Sequence, residues 1–251
     1  MAIVLITGAT SGFGEACAKK FAANSYDLII TGRRQERLQL LQQQLEQQHN
    51  IRVLPLCFDV RDEKAVTSTL NGIPEQWKAV DILINNAGLA LGASGIDEGA
   101  LSDWDTMIDT NVKGLLYVSR TVIPWLKTKG KGHIINLGST AAKSVYAKGN
   151  IYCATKAAVD SISQAMRIDL LPYHIKVTAV HPGAAETEFA VVRFKGDTEK
   201  AENVYKGFKP LSGEDVADTI FYCATLPAHV CINDLVITCL QQANANYFHK
   251  E

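Results

Sequence analysis

A doubly wound α/β domain, with about seven parallel strands flanked by helices, is the fold class this sequence predicts. Three observations carry it. Short β-branched runs alternate along the whole chain with helix-length segments, the pattern of successive β-α-β units with right-handed crossovers. Most of the runs are unbroken apolar stretches rather than alternating ones, as strands read when both faces are covered. Finally, no internal repeat and no Pro-, Gly- or Ser-rich linker divides the 251 residues. One domain spanning 1–251 follows from that continuity.

The strand candidates in order are IVLIT from Ile3, DLIIT from Asp27, VLPLCF from Val53, DILIN from Asp81, HIINL from His133, KVTAV from Lys176 and LVIT from Leu235. The expected helices are residues 15–23, 35–48, 63–70, 102–128, 152–171 and 214–225. The second carries Leu38, Leu41 and Leu45 at helical spacing, and its glutamine-rich outer face reads as a solvated surface. Ser102 and Ser212 stand before acidic residues and are expected as helix N-caps. The longest stretch without strand pattern, residues 183–211, follows the sixth strand. From its position, a lid over the active-site edge is expected around 184–211.

Composition narrows the function classes. The chain is 47% hydrophobic and 20% charged with a net charge of −1, which gives no reason to expect nucleic acid or an anionic membrane as the main partner. None of the six cysteines forms C-x-x-C or sits at zinc-ligand spacing, and no metal site is expected. Most fall in apolar segments, consistent with buried thiols in a reducing compartment. The N-terminus is apolar without a basic region and reads as a first strand, and no run approaches a membrane span. A cytoplasmic location is the expectation.

The first strand runs directly into TGATSGFGEA. Gly8, Gly12 and Gly14 have the spacing G-x-x-x-G-x-G, in which the backbone can turn tightly and approach a pyrophosphate while a helix N-terminus presents free N–H groups. The second strand ends in TGRRQER, near where an adenosine ribose is expected. Arg33 and Arg34 stand where a carboxylate would bond a 2′-hydroxyl. Two guanidiniums suit a 2′-phosphate, and this stretch places no carboxylate at that point. NADP is therefore the expected cofactor. In the middle of the chain, NIYCATKAAV puts Tyr152 and Lys156 four residues apart on one helix face.

Four further stretches take their place around these: NNAG at the end of the fourth strand, NLGST at the end of the fifth, YCATK opening the next helix and HPGAAET after the sixth strand. With the glycine loop, their order and spacing resemble the short-chain dehydrogenase/reductase family over nearly the whole chain. TGRRQERL, MIDTNVKGL, FKGD and TLPAHVCIN are similar to its branch of NADP-dependent 3-hydroxy acid dehydrogenases, acting on serine, allo-threonine and related acids. The resemblance implies a single Rossmann-type domain and an oxidoreductase for CH–OH groups. It also implies a homo-oligomer, dimer or tetramer, and a catalytic set of Asn111, Ser139, Tyr152 and Lys156.

The implied chemistry is sound in its own terms. Oxidising an alcohol needs a base for the hydroxyl proton, and a phenol is nearly all protonated at pH 7. A neighbouring ammonium and the positive ring of the oxidised cofactor favour phenolate. Ser139 would hold the substrate oxygen, Lys156 would also bond the nicotinamide ribose, and Asn111 would extend a proton path through water. For the cofactor, the resemblance implies Gly8, Ala9, Thr10, Ser11, Gly12, Phe13 and Gly14 around the pyrophosphate and adenosine side. Asp59 and Val60 would meet the adenine, Asn86 the nicotinamide-side ribose, and Pro182, Gly183 and Thr187 the nicotinamide. For a substrate carboxylate the lid offers Arg193 and Lys195, and Arg193 is favoured for its planar fork. STAAK departs from the family's usual S-[ST]-A-G, so Ala142 and Lys143 leave the substrate loop in doubt. Other expectations remain open: a carbonyl reductase for larger or pterin-like ketones, and an NADP(H)-sensing regulator without turnover.

Overall fold

Ile3, Val4, Leu5 and Ile6 form the first strand, β1 (Ile3–Ile6), and all four are buried. Ile3 and Leu5 join one apolar cluster and Val4 and Ile6 another, because the pleat sends alternate side chains to opposite faces. A strand covered on both sides has no polar face to show, which is why its sequence does not alternate. The computed structural model describes residues 1–251. Its other strands are β2 (Asp27–Gly32), β3 (Val53–Cys57), β4 (Val80–Asn85), β5 (Gly132–Leu137), β6 (Ile175–Pro182) and β7 (Asp234–Ile237). They form one parallel sheet in the order β3-β2-β1-β4-β5-β6-β7.

Helices α1 (Gly12–Ala23) and α2 (Gln35–Gln48) cover the Val4 face. On the Leu5 face lies α3 (Glu63–Asn71). The helix expected over 102–128 is instead three pieces: α4 (Leu101–Ile108), a π-helical segment Asp109–Gly114, and α5 (Leu115–Lys129). The expected cap at Ser102 is displaced too. Helix α4 begins at Leu101 after Ala100, and the Ser102 carbonyl accepts from the Thr106 hydroxyl inside the helix. Long helix α6 (Asn150–Leu170) follows β5 and, with α3 and α5, fills the Leu5 face. Two short helices, α7 (Glu188–Arg193) and α8 (Thr198–Asn203), lie within 183–211, where no element was expected. Helix α9 (Gly213–Thr225) packs beside α1, and Ser212 closes its N-terminus in a reciprocal capping box with Asp215. No helix is long and apolar enough to cross a membrane.

The strand order reverses between β1 and β4. In such sheets the crevice beyond the carboxyl ends of the strands is the ligand site. The glycine loop and the segments singled out after β2, β4, β5 and β6 leave the sheet at that edge.

Candidate active site

The loop after β1 is shaped by its glycines. Gly8 and Gly12 hold φ of +68° and +54°, in the left-handed region that favours glycine. Gly14 is constrained by contact: a Cβ there would stand 2.3 Å from the Gly8 carbonyl oxygen. Ser11 precedes α1 in extended conformation, and its side chain leaves the first-turn amides uncapped. Such amides suit an anion.

This loop opens on a cavity of about 510 Å³. Gly8, Thr10, Ser11, Gly12, Phe13, Arg33, Arg34, Asp59, Val60 and Asn86, expected from the sequence to hold the cofactor, line it together with Ser139, Tyr152, Lys156, Pro182, Gly183, Thr187 and Arg193. Of the cofactor and catalytic residues expected from the sequence, three are not on the wall. Ala9 is fully buried, with its amide donating to the Thr31 carbonyl at 2.9 Å. Gly14 is buried behind Gly8. Asn111 is buried in the π-helical segment. Its Oδ1 accepts from the Leu89 amide at 2.8 Å, and its Nδ2 donates to the Leu89 carbonyl and the Thr155 hydroxyl at 2.8 and 3.0 Å. The side chain thus fastens the loop after β4 to α6. Asn111 Oδ1 and Lys156 Nζ both face Gly88, 3.2 and 3.4 Å from where its Cβ would be.

Tyr152 and Lys156 sit in the first two turns of α6, both buried. Burial pushes the Tyr152 phenol well above its ordinary value; the Ser139 side chain and the Arg193 charge pull it back. The sequence had assigned that pull to Lys156. The Lys156 ammonium instead donates to the Leu137 carbonyl at 2.7 Å, and burial lowers its own pKa to about 8. Ser139 caps a short turn, accepting from the Ala141 amide at 3.1 Å. Behind it lies the fully buried His181, whose Nδ1 is 3.3 Å from the Ser139 nitrogen and 3.2 Å from its carbonyl oxygen.

The doubtful Lys143 turns away from the cavity. Its ammonium reaches Asp160 on α6 at 2.7 Å and Asp234 on β7, beside His181 Nε2. Ala142 and Lys143 therefore leave the wall to Thr140 and Ala141.

Several groups at the site escaped the sequence reading. The Tyr146 hydroxyl accepts from Arg193 Nη1 at 2.8 Å, and the Arg193 guanidinium lies 5.3 Å from the Tyr146 ring centre. Phe189 packs on Tyr152 with ring centres 5.6 Å apart. Lys195, the alternative lid cation, pairs with Asp103 at 2.8 Å. A carboxylate does stand among the arginines after β2: Glu188 of α7 accepts from Arg34 and Arg37 at 2.9 and 2.6 Å. Arg37, one turn beyond Arg33 in α2, carried a signal in the R-R-x-x-R spacing. Glu188 carried none, being remote in sequence. The Gln242 side chain, from the C-terminal segment, accepts from the Ala184 amide at 2.8 Å.

Comparison with known proteins agrees with this geometry. The model of the short chain dehydrogenase family matches residues 2–197. An NADP-dependent 3-hydroxy acid dehydrogenase of Salmonella typhi is 46% identical over 244 residues, 97% of each chain. Sulfoacetaldehyde reductase 2 of Chromohalobacter salexigens is 49% identical over 242 residues, covering 96% of this chain and 95% of its own. Among solved structures, the closed form of a serine dehydrogenase complexed with NADP+ superposes with a TM-score of 0.92 at 46% identity, covering 99% of this chain and 100% of that one.

Proposed function

From the premise that this chain belongs to the short chain dehydrogenase family, we propose that it is an NADP-dependent oxidoreductase acting on small 3-hydroxy acids or the matching semialdehydes. The observation that carries the reading is the convergence, in one cavity, of Tyr152, Ser139 and Lys156 with two cationic groups: Arg33 and Arg34 from the end of β2, and Arg193 of α7. A neutral alcohol and a cofactor without 2′-phosphate would need neither cation. Two relatives named for small anionic substrates, a 3-hydroxy acid and sulfoacetaldehyde, point the same way.

The residues fit the cofactor. Gly14 lets the loop close tightly, the uncapped first turn of α1 offers amides to the pyrophosphate, and Arg33 is more than half exposed, held only at 3.8 Å by Asp59. NADP supplies the hydride acceptor in oxidation and, reduced, the donor in the reverse reaction. The chain's own groups handle the proton and the orientation. The Ser139 hydroxyl holds the substrate oxygen in line with the Tyr152 phenol. Tyr152 takes the hydroxyl proton on oxidation and returns it to the carbonyl oxygen on reduction. Lys156 holds the ribose and, as a buried cation, favours phenolate once Tyr152 has lost its proton. Arg193, oriented by Tyr146, receives the substrate's anionic group in a two-pronged contact. The segment around 184–211 serves as the lid. A cytoplasmic homo-oligomer completes the proposal.

Absorbance at 340 nm, followed with serine, allo-threonine, 3-hydroxyisobutyrate, malonic semialdehyde, sulfoacetaldehyde and bulky neutral ketones, tests it. The small anionic compounds should give the highest kcat/KM. Preference for bulky neutral ketones, or tight NADPH binding with no turnover on any compound, would refute it.

A further inference from the structure

Three guanidiniums converge where β2 meets α2, and one carboxylate from far along the chain lies among them. Glu188 is the first residue of α7, and each of its oxygens has its own partner: Oε1 accepts from Arg37 at 2.6 Å and Oε2 from Arg34 at 2.9 Å. The other nitrogens of Arg34 turn to the glycine loop. Nε and Nη2 donate to the Thr10 hydroxyl at 3.1 and 2.9 Å, and Nη2 also reaches the Thr10 carbonyl and the Ser11 hydroxyl. Glycine loop, α2 and α7 are thus tied at one point.

The rest of α7 faces the reaction. Its second residue, Phe189, lies against Tyr152, and its last, Arg193, lies against Tyr146 on the cavity wall. The helix is six residues long, roughly 9 Å. Whatever anchors Glu188 therefore anchors Arg193. Burial alone would raise the Glu188 pKa, but the hydrogen bonds from Arg37 and Arg34 outweigh it and hold the carboxyl below its usual range. Glu188 thus stays ionised at neutral pH.

Charge shows that this tie and a cofactor phosphate can coexist. Arg33, Arg34, Arg37 and Arg61 face Asp59 and Glu188. Four guanidiniums against two carboxylates leave a net charge of +2, close to what a phosphate monoester of about −1.5 to −2 would neutralise. Arg33, the most exposed of the four and held only at 3.8 Å by Asp59, is left to take the phosphate while Arg34 keeps the lid.

We infer that Glu188 is a positioning residue that ties the lid helix α7 to the Arg34–Arg37 pair of the cofactor's phosphate site, and so sets how well Arg193 grips the substrate. This rests on the reading of α7 as part of a substrate lid in an NADP-dependent enzyme. The three side chains are 41 to 48% exposed, so solvent screens the pairs and the effect is moderate.

Glu188→Gln keeps the shape and removes the charge. It should raise KM for the preferred anionic substrate about 3- to 10-fold, change kcat less than about twofold and leave NADPH affinity equal or tighter. Arg37→Met should raise KM similarly, and the double variant should add little, since both cut one tie. Amide exchange across residues 188–196 should quicken in Glu188→Gln. Unchanged KM, additive single effects, or weakened NADPH binding with constant KM would overturn the inference. If the parent turns over no hydroxy acid, the functional reading fails on its own. Exchange then decides the tie: faster in Glu188→Gln supports it, equal rates overturn it.

Discussion

At Lys156 a charge is buried where only one carbonyl answers it. Burial holds its pKa near 8, against 10.5 for a free lysine. Because the folded value is the lower one, the native state carries a penalty for the charged lysine below pH 8. The penalty is relieved as pH rises from about 8 to about 10.5, where the unfolded chain still binds the proton and the native one has released it. The parent should therefore gain on the order of 2 kcal/mol over Lys156→Met between pH 7 and 9.5. Urea unfolding of both proteins at both pH values checks this, and a constant difference would refute it. On the wall of the same cavity, Arg33 is the guanidinium with least to hold it. A charged hydrogen bond is worth roughly 1.5–3 kcal/mol. Arg33→Ala should thus weaken NADPH about 10- to 100-fold and NADH hardly at all; equal losses would remove the 2′-phosphate from this residue. Residues of this kind were legible because their chemistry is carried by type and spacing. The partners of Tyr152 and Lys156 were not legible because i and i+4 spacing fixes a shared helix face but not which groups meet. Only the fold brings Ser139 and Arg193 to the phenol while Lys156 turns to the Leu137 carbonyl.

Among the elements, the π-helical segment is the one that apolar periodicity could not disclose. The run from 102 to 128 reads as one helix because no proline marks the break, and the lone Gly114 that ends the π-helical segment is tolerated inside a helical pattern. Asn is a poor mid-helix residue, and the bonds of Asn111 to Leu89 and Thr155 explain why it stands there. The segment also sits close to the loop after β3. A Cβ at Gly114 would lie 2.8 Å from Val60 Cγ2 and 3.3 Å from the Val60 carbonyl oxygen. Gly114→Ala should destabilise the fold by about 1–3 kcal/mol, measured by urea unfolding, and should weaken NADPH through the displaced Val60. No change in either would mean that the two loops move apart freely. The helices inside the expected lid escaped the sequence for a different reason: α7 and α8 are six residues each, too short to show a helical period. On α7, Arg193→Met should raise KM for serine or 3-hydroxyisobutyrate at least tenfold while barely affecting a neutral alcohol of similar size. Equal losses on both would point to lid closure rather than to an ion pair with the substrate.

Across the whole molecule, the seven parallel strands followed from β-branched apolar runs, although the outer strands β3 and β7 are only partly buried. What joins distant segments was not legible: Glu188 on Arg34 and Arg37, Gln242 on the Ala184 amide, and Lys143 between Asp160 and Asp234. Each pair is set by tertiary approach, which periodicity does not encode. The central claim is hydride transfer between NADP(H) and a small anionic substrate, with Tyr152 moving the proton. Isotope transfer tests it most directly. NADPH carrying two deuterons at C4 is incubated with malonic semialdehyde and the chain, and the 3-hydroxypropionate formed is analysed by mass spectrometry. One deuteron per product molecule, bound to C3, is predicted, with the rate lowered about 10² to 10⁴-fold in Tyr152→Phe. No product, product without deuterium, or an undiminished rate in Tyr152→Phe would contradict it.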